Sequence, residues 1–395
     1  RELVKLVRDV ARNEVMPHVA AADKAGECPR ELYQWGFDLG LHMVQIPEQF
    51  GGMGLSYETC AMMFEELAWV DAAYADTFVT NFVAFRNILL NGTEEQARHF
   101  VEKTENNGFA AFCLTEANAG SDVAAMRTTA VLDGDEYVLS GTKTFITNGS
   151  ISDIYVVFAK TDPEAGAHGI TGFLIDGDTP GLAAGAKEHK MGFRLSDTTE
   201  VVLENVRVPR SAVIGEVGCG MSIALNALNL SRAFISTLAV GIMQRALDEA
   251  VAYAKQRKQF GRRLIDFEMV QAMLADMAIK TEAARVLVNN CMRQMDAGEM
   301  VRKDGAIVKT FVTDAMQEVV SNAVQVLGGY GYSEEYPVEK LMRDAKIFQI
   351  YEGTNQIQRM VIGKELHPFG NIKFHLLKRE LIQHLFEHMQ NIFFA

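Results

Sequence analysis

The sequence predicts an α+β protein in which an all-helical N-terminal domain precedes an antiparallel β domain and a C-terminal four-helix bundle. Three observations lead to this prediction. Apolar residues first recur at helical spacing, short β-type runs separated by turn residues follow, and long helical patterns then return. We therefore expect domains at 1–108, 109–217 and 218–366, with 367–395 as a C-terminal extension.

The N-terminal region begins inside an amphipathic helix. Its first apolar stripe consists of Leu3, Val4, Leu6, Val7 and Val10. A second helical pattern includes Phe64, Leu67 and Ala68. Because the chain starts at Arg1 rather than Met, a targeting segment before it is neither predicted nor excluded.

The middle region alternates short β-type runs with turn residues. The turn at 133–134 precedes a run at 137–139, and the run at 144–147 precedes the Asn-Gly pair at 148–149. A further β-type stretch covers 201–208. Runs of this length separated by Asp-Gly and Asn-Gly pairs are typical of antiparallel strands.

The C-terminal region carries three long helical patterns, at 224–257, 267–295 and 306–327. In the extension, apolar residues recur at roughly helical spacing at Leu377, Leu381, Leu385, Met389 and Ile392. We expect an amphipathic helix there that packs on its own or a neighbouring subunit. Membrane association is the alternative, but the polar face of that helix is not notably basic.

Composition narrows the function classes. A hydrophobic content of 48% with 23% charged residues is ordinary for a soluble protein, and no uninterrupted apolar run approaches bilayer length. The net charge of -13 disfavours a nucleic-acid partner. Five dispersed cysteines without metal-ligand spacing indicate reduced structural thiols and predict no metal site. We therefore expect a reducing compartment, either the cytoplasm or the mitochondrial matrix.

One carboxylate, Glu352, lies in a Tyr-Glu-Gly-Thr break between two helical stretches. Pro337 fits the start of the first stretch, Gly353 interrupts it, and Thr354 or Asn355 can cap the next. A helix N-terminus beside a carboxylate offers backbone N–H donors for an oxyanion close to a base. This segment alone is equally consistent with an ordinary helical turn that carries a surface glutamate.

Four further segments carry candidate site residues, although each is weak alone. Residues 113–122 form a Thr-Glu, Gly-Ser-Asp loop that is by default a solvated turn. Residues 143–148 contain Phe145, and an aromatic in a strand more often belongs to the core. Residues 257–261 begin with an arginine that is ordinarily a solvated charge, and 325–332 form a glycine cluster typical of a helix C-terminus.

Together with the Glu352 turn, these segments occur in the order found in the acyl-CoA dehydrogenase flavoprotein family, short- or medium-chain type, which the chain resembles from about residue 1 to 366. The resemblance implies an FAD-dependent oxidoreductase of fatty acid metabolism that acts on an acyl-CoA. It also implies a homotetramer that passes electrons to an electron-transfer flavoprotein.

The resemblance also implies roles for individual residues. Glu352 matches the catalytic base, and Ser231, at the position where some members carry the base, cannot serve as one. The implied FAD contacts are Phe112, Leu114, Thr115, Gly120, Ser121, Phe145, Thr147, Arg257, Phe260, Phe267, Gln325, Gly328, Gly329, Thr354 and Gln356. The implied substrate contacts are Ser121, Asn229, Arg232, Tyr351 and Gly353. In the family, the arginine matched by Arg257 reaches the FAD pyrophosphate of a neighbouring subunit.

Two residues depart from the family pattern. Glu268 stands where relatives commonly have a Gln near FAD. Arg86 stands where relatives have small or apolar residues near the acyl end of the pocket, and we expect it at the surface. The alternative is that Arg86 points inward and meets a substrate carboxylate.

Three other functions share these motifs or most of them. An acyl-CoA oxidase and an enoyl-CoA reductase would use the same site with another electron partner. A flavin-holding subunit without turnover would be expected to lose the base, so the presence of Glu352 counts against it.

Overall fold

The computed structural model describes residues 1–367. The amphipathic helix expected in the C-terminal extension, and its membrane alternative, therefore lie outside the described residues. The fold that is described has the predicted order of a helical N-terminal region, a β region and a helical C-terminal region.

The N-terminal region consists of helices α1 (Glu2–Val10), α2 (Met16–Ala25), α3 (Arg30–Asp38), α4 (Tyr57–Asn91) and α5 (Glu94–Thr104). Of the predicted first stripe, Val7 is buried whereas Leu6 is 50% exposed, so that stripe is narrower than expected. The helical nature of the region is confirmed.

Helix α4 is interrupted at Asp71, which has extended backbone angles (φ −157°, ψ 118°). Its Oδ1 accepts a hydrogen bond from the backbone N–H of Tyr74 at 2.7 Å, so Asp71 caps the second half of the helix. Its Oδ2 is 2.6 Å from Lys340 Nζ in a buried ion pair. The break allows Tyr57, in the first half, to pack against Arg86 in the second.

The middle region is one eight-stranded sheet of order β6-β7-β3-β2-β4-β5-β8, with β1 paired to β4. The strands are β1 (Ala110–Cys113), β2 (Thr129–Asp133), β3 (Glu136–Thr147), β4 (Ile154–Lys160), β5 (Ile170–Asp176), β6 (Leu182–Lys187), β7 (Thr198–Pro209) and β8 (Val213–Ile214).

Two expectations about the sheet need correction. Its pairing is mostly antiparallel, but β1 and β2 both pair parallel to β4 because the chain crosses over between these strands. The runs predicted at 137–139 and 144–147 belong to one strand, β3, whose ladder with β7 continues past two irregularities. The second irregularity lies at Phe145.

The C-terminal region contains helices α6 (Gly220–Gln256), α7 (Glu268–Asp296), α8 (Arg302–Leu327), α9 (Val338–Ala345) and α10 (Asn355–Leu366), with a hairpin of β9 (Lys258–Gln259) and β10 (Arg262–Arg263). Helix α6 packs against α4, α7 and α8, and α10 packs against α8. By length and hydropathy α6 could cross a bilayer, but 78% of its most apolar stretch is buried inside the protein. It is the central helix of the core that the two helical regions share.

Candidate active site

Glu352 lies in a tight turn between α9 and α10, as the sequence predicts. Glu352 and Gly353 have left-handed backbone angles, with φ of 58° and 85°. Such an angle is unfavourable for a residue with a Cβ, so other contacts must hold Glu352 in place. Thr354 caps α10, because its hydroxyl oxygen accepts a hydrogen bond from the backbone N–H of Ile357 at 3.3 Å.

Two side chains fix the carbonyl oxygen of Glu352. Arg232 Nε donates to it at 3.1 Å and Gln358 Nε2 donates to it at 3.0 Å. Arg232 is buried, and its Nη1 also donates to Asn229 Oδ1 at 2.8 Å. Asn229 is therefore bonded to the arginine, and these contacts offset the strain of the left-handed turn.

The carboxyl group and the backbone N–H of Glu352 differ in their hydrogen bonding. Glu352 Oε2 accepts a hydrogen bond from Ser231 Oγ at 2.6 Å. The backbone N–H has no hydrogen-bond partner within residues 1–367. A backbone N–H without a protein acceptor can donate to a substrate carbonyl oxygen on which negative charge develops.

Burial raises the pKa of Glu352 above its usual range. The Ser231 hydroxyl and the cations Arg232, Lys309 and Arg86 act in the opposite direction, because they favour the ionised carboxylate. The effect of burial is the larger one. A carboxylate with a raised pKa is a better proton acceptor than a solvated one, which suits a general base.

Lys309 supports the turn from α8. Its Nζ donates to the carbonyl oxygen of Gly353 at 2.9 Å and to Asn355 Oδ1 at 2.8 Å. Burial lowers the pKa of Lys309 to about 7, although the charge of Glu352 opposes this. The lysine thus holds Gly353 and Asn355, one and three positions after Glu352.

A second carboxyl group, Asp76 of α4, is buried beside the same turn. Burial, and to a smaller extent the charge of Glu352, raise the pKa of Asp76 to about 8, although the charge of Lys190 acts in the opposite direction. Tyr351 packs edge-on against Phe348, with 5.2 Å between the ring centroids. The buried Tyr351 hydroxyl has no hydrogen-bond partner within the described part of the chain, so it too is available to a bound molecule.

We expect Asp76→Asn to make stability less dependent on pH. The pKa of Asp76 is raised from 3.8 to about 8 in the folded state. At a pH between these two values, the carboxyl group is protonated in the folded protein and ionised in the unfolded chain. Stability therefore falls as pH rises through that window, by at most about 1.4 kcal/mol per pH unit.

Thermal unfolding of the variant and the wild type at pH 5 and pH 8 measures this effect. The stabilisation by Asp76→Asn should be larger at pH 8. Asp135→Asn, at a fully exposed carboxylate, is the control. A difference between Asp76→Asn and wild type that is the same at both pH values would contradict the expectation.

Phe145 lies in a bulge of β3, between the pairs that Lys143 and Ile146 make with β7. Its φ is 56° and its side chain is 63% exposed. An aromatic side chain in a strand is normally buried against the core. A Phe with a strained backbone and a largely exposed ring therefore indicates a surface for a planar ligand. Thr147 follows at the end of the same strand.

The loop at 113–122 lies beside this ring. The backbone N–H of Thr144 donates to the carbonyl oxygen of Thr115 at 2.9 Å. A buried ion pair between Lys143 and Glu116, at 2.8 Å, holds the loop to β3. Of the other implied FAD contacts here, Leu114 is buried, Phe112 is partly buried, and Gly120 and Ser121 are exposed on the loop.

The end of β3 and the Glu352 turn both lie next to the middle of α4. Asn148, just after β3, donates from Nδ2 to the carbonyl oxygen of Thr77 at 2.9 Å. Thr77 follows Asp76, which is beside Glu352. Asn148 therefore connects the end of β3, which carries Phe145, to the part of α4 that lies beside the Glu352 turn.

A separate groove of about 660 Å³ lies between the end of α6 and the end of α8. Arg257, Gly328 and Gly329 line it, so two of the weak segments come together there. The guanidinium of Arg257 lies over the Tyr330 ring, 5.6 Å from its centroid. Gln325 is exposed and does not line this groove.

The remaining candidates lie at the surface or at a helix end. Phe260 is 93% exposed on the β9–β10 hairpin, and its ring contacts Phe267 at 6.3 Å between centroids. Gln356 is exposed in α10, and Glu268 is exposed at the start of α7.

Arg86 is buried, with 4% exposure, so the expectation of a surface position is wrong.

Sequence reasoning missed the residues that support the base. The resemblance excludes Ser231 as a base and places it in the stretch 229–232 near the CoA path, whereas its hydroxyl donates to Glu352. No sequence motif indicates Lys309, Asp76 or Gln358. The available signal is a lone charged residue in an otherwise apolar helical stretch, as at Asp76 and Lys309. The sequence does not show whether such a side chain is buried or exposed to solvent.

Family models match the chain in three consecutive parts. These are the acyl-CoA dehydrogenase N-terminal domain at residues 1–108, the middle domain at 111–206 and the C-terminal domain at 218–367. A probable acyl-CoA dehydrogenase of Mycobacterium tuberculosis is 43% identical over 367 residues, which is 92% of this chain and 94% of that protein.

Solved structures similar to this chain point to the same family. Butyryl-CoA dehydrogenase from Megasphaera elsdenii matches with a TM-score of 0.90 and 42% identity, covering 92% of this chain and 97% of that one. A chain from the structure described as the electron transferring flavoprotein of Acidaminococcus fermentans matches with a TM-score of 0.90 and 40% identity, covering 93% and 97%. The chain therefore belongs to the acyl-CoA dehydrogenase family of FAD-dependent oxidoreductases.

Proposed function

We propose that this enzyme dehydrogenates a short- or medium-chain acyl-CoA between Cα and Cβ, with Glu352 as the base that removes the α-proton. The observation that carries the proposal is the pairing, in one residue, of a buried carboxyl group of raised pKa with a backbone N–H that has no partner within the described residues. FAD, when bound, supplies a hydride acceptor at flavin N5, which side chains cannot provide.

The residues of the turn have distinct tasks in this proposal. The ionised carboxylate of Glu352 takes the α-proton, and the Glu352 backbone N–H donates to the thioester oxygen as it gains negative charge. Such a donor contributes about 3 kcal/mol to the transition state in other enzymes. Arg232 and Lys309 hold the turn, and Tyr351 closes the site against water.

Other residues would hold the cofactor. Phe145 and the loop beside it offer an exposed ring and backbone groups to the isoalloxazine. Arg257 offers a planar guanidinium suited to a pyrophosphate, next to two glycines that leave the backbone accessible. Asn229 and Ser121 are proposed to border the path of the CoA moiety.

The likeness to a butyryl-CoA dehydrogenase supports a short acyl chain. The likeness to a chain in a structure of an electron transferring flavoprotein supports such a protein as the electron acceptor. The relatives are bacterial proteins, which favours the bacterial cytoplasm over the mitochondrial matrix as the location.

Anaerobic titration of the FAD-loaded enzyme with acyl-CoA thioesters of increasing length tests the proposal. We expect bleaching of the flavin absorbance with at least one short or medium chain. Reoxidation by an electron-transfer flavoprotein, rather than by oxygen, separates a dehydrogenase from an oxidase. Absence of bleaching with every thioester would contradict the proposal.

We expect Arg257→Ala to weaken FAD retention and, with it, a homo-oligomer. In the proposed assembly, a homotetramer, the arginine reaches FAD bound by a neighbouring subunit. A ligand that binds only the assembled form stabilises that form, so both effects should appear together. Gel filtration with and without added FAD measures them.

Lys258→Ala, at the adjacent exposed cation, is the control. Its FAD content and elution volume should match those of the wild type. If Arg257→Ala without FAD stays fully assembled and binds FAD as tightly as the wild type, Arg257 is only a surface charge.

A further inference from the structure

Arg86 is a buried cation without an anionic partner. It is 4% exposed, and within residues 1–367 no carboxylate oxygen lies within salt-bridge distance of its guanidinium. Its hydrogen bond from Nη2 goes to a neutral acceptor, Gln45 Oε1, at 2.7 Å. Two rings lie near the guanidinium, Tyr57 at 5.2 Å and Phe234 at 6.0 Å to the centroids.

The fold treats its other buried cations differently. Lys143 is paired with Glu116 at 2.8 Å, and Lys340 with Asp71 at 2.6 Å. Arg232 and Lys309 donate to backbone carbonyl oxygens of the catalytic turn. Burial of a guanidinium without an anion or a full set of acceptors is costly, so Arg86 calls for a further partner.

Gln45, beside this cation, carries a donor that lacks an acceptor. Its Oε1 is used by Arg86, and its buried Nε2 has no hydrogen-bond partner within the described residues. Turning the amide over would place its N–H group against a guanidinium N–H, so either orientation leaves donors in excess. Burial raises the pKa of the nearby Cys60 thiol to about 12, so Cys60 does not supply the missing negative charge.

This donor pair lies at the far end of the region that contains the base. Asp76, beside Glu352, and Arg86 are on the same helix, and the spacing of 76, 79, 83 and 86 places them along one side of it. Ten residues of α-helix span about 15 Å, and a helical arginine leans towards the N-terminus, which brings its guanidinium back towards Asp76. The distance that remains between the guanidinium and the Asp76 end of the helix suits a short acyl chain. It is too long for the guanidinium to contact the thioester itself. Phe234, which faces Arg86, follows Ser231 and Arg232 on α6.

We propose that Arg86 and Gln45 bind a carboxylate at the distal end of the acyl group, so that the preferred substrate is a dicarboxylic acyl-CoA. The inference rests on the proposed function and specifies the substrate class of the same site. A carboxylate accepts from a guanidinium and an amide at once, which gives Gln45 Nε2 an acceptor and Arg86 an anionic partner. A methyl end would leave Gln45 Nε2 without an acceptor and the buried guanidinium without an anion.

Glutaryl-CoA and pentanoyl-CoA test the proposal, because they have acyl groups of five carbons and differ by a carboxylate in place of a terminal methyl group. The FAD-loaded enzyme is reduced anaerobically with each, and kcat/KM is measured with an artificial acceptor. We expect the wild type to prefer glutaryl-CoA by about tenfold or more. We expect Arg86→Gln to reduce kcat/KM for glutaryl-CoA by about tenfold or more and to leave pentanoyl-CoA unchanged or improved.

A binding measurement without turnover makes the test independent of catalysis. In a Glu352→Gln background, the Kd of each thioester should show the same preference, and Arg86→Gln should abolish it. Gln45→Leu retains the cation and should reduce the preference by a smaller factor, which keeps the test available if Arg86→Gln fails to fold. Arg98→Gln, at an exposed arginine of α5, should change neither substrate.

The outcomes separate this inference from the function on which it rests. If neither these two thioesters nor any of the straight-chain panel reduces the wild-type flavin, the proposed function is wrong. If straight-chain thioesters reduce it and glutaryl-CoA is no better than pentanoyl-CoA, the distal carboxylate site does not exist. Equal losses on both substrates in Arg86→Gln would also overturn the inference, because they indicate only a packing role.

Discussion

Glu352→Gln is expected to retain FAD and to lose reduction of the flavin by substrate. The amide keeps the size of the side chain and can still accept the hydrogen bond from Ser231. It cannot take the α-proton at neutral pH. We expect the rate of flavin bleaching in anaerobic stopped flow to fall by at least about a hundredfold, or about 3 kcal/mol.

The pH dependence of the wild-type rate gives a second signature of the same residue. Because Glu352 must be ionised to act as a base, the rate should rise with pH through a pKa above the ordinary range of a glutamate. Glu204→Gln, at an exposed glutamate of β7, should keep both the rate and the pH profile of the wild type. Bleaching of Glu352→Gln at near the wild-type rate would mean that the base lies elsewhere.

The order of helical and β regions was predictable because it depends on periodicity, which burial imposes over many residues. The long helices α6 and α7 begin and end within four residues of the patterns that predict them. The limits of the three domains stay predictions. The parallel pairing of β1 and β2 with β4 could not be predicted, because it depends on which strand lies beside which in the folded sheet.

The candidate base was predictable because a Gly and a helix cap mark the turn around it. Its environment was not. Whether Arg86 is solvated or buried depends on the break at Asp71, which folds the two halves of α4 together and which no local pattern indicates. Likewise, the outward turn of Phe145 results from a bulge in the β3–β7 ladder, and a bulge depends on the partner strand.

The arginine that holds the carbonyl oxygen of the base should be nearly as important as the base itself. Arg232→Met keeps the length of the side chain but removes the bonds to Glu352 and Asn229. With Gln358 as the remaining donor to that carbonyl oxygen, the left-handed turn is less well fixed, and misplacement of a catalytic group by about 1 Å can cost a hundredfold. We expect flavin reduction to slow by about ten- to a hundredfold.

A purely structural role for Arg232 would not change the pH profile, whereas its electrostatic role should. The guanidinium charge favours the ionised form of Glu352, so its removal should raise the pKa of that carboxyl further. The rise in rate with pH should therefore move to higher pH in Arg232→Met, and Arg232→Lys should restore part of the shift. Arg293→Met, at an exposed arginine of α7, is the control. An unchanged pH profile in Arg232→Met, with only weaker FAD retention, would show that Arg232 contributes to packing and not to the ionisation of the base.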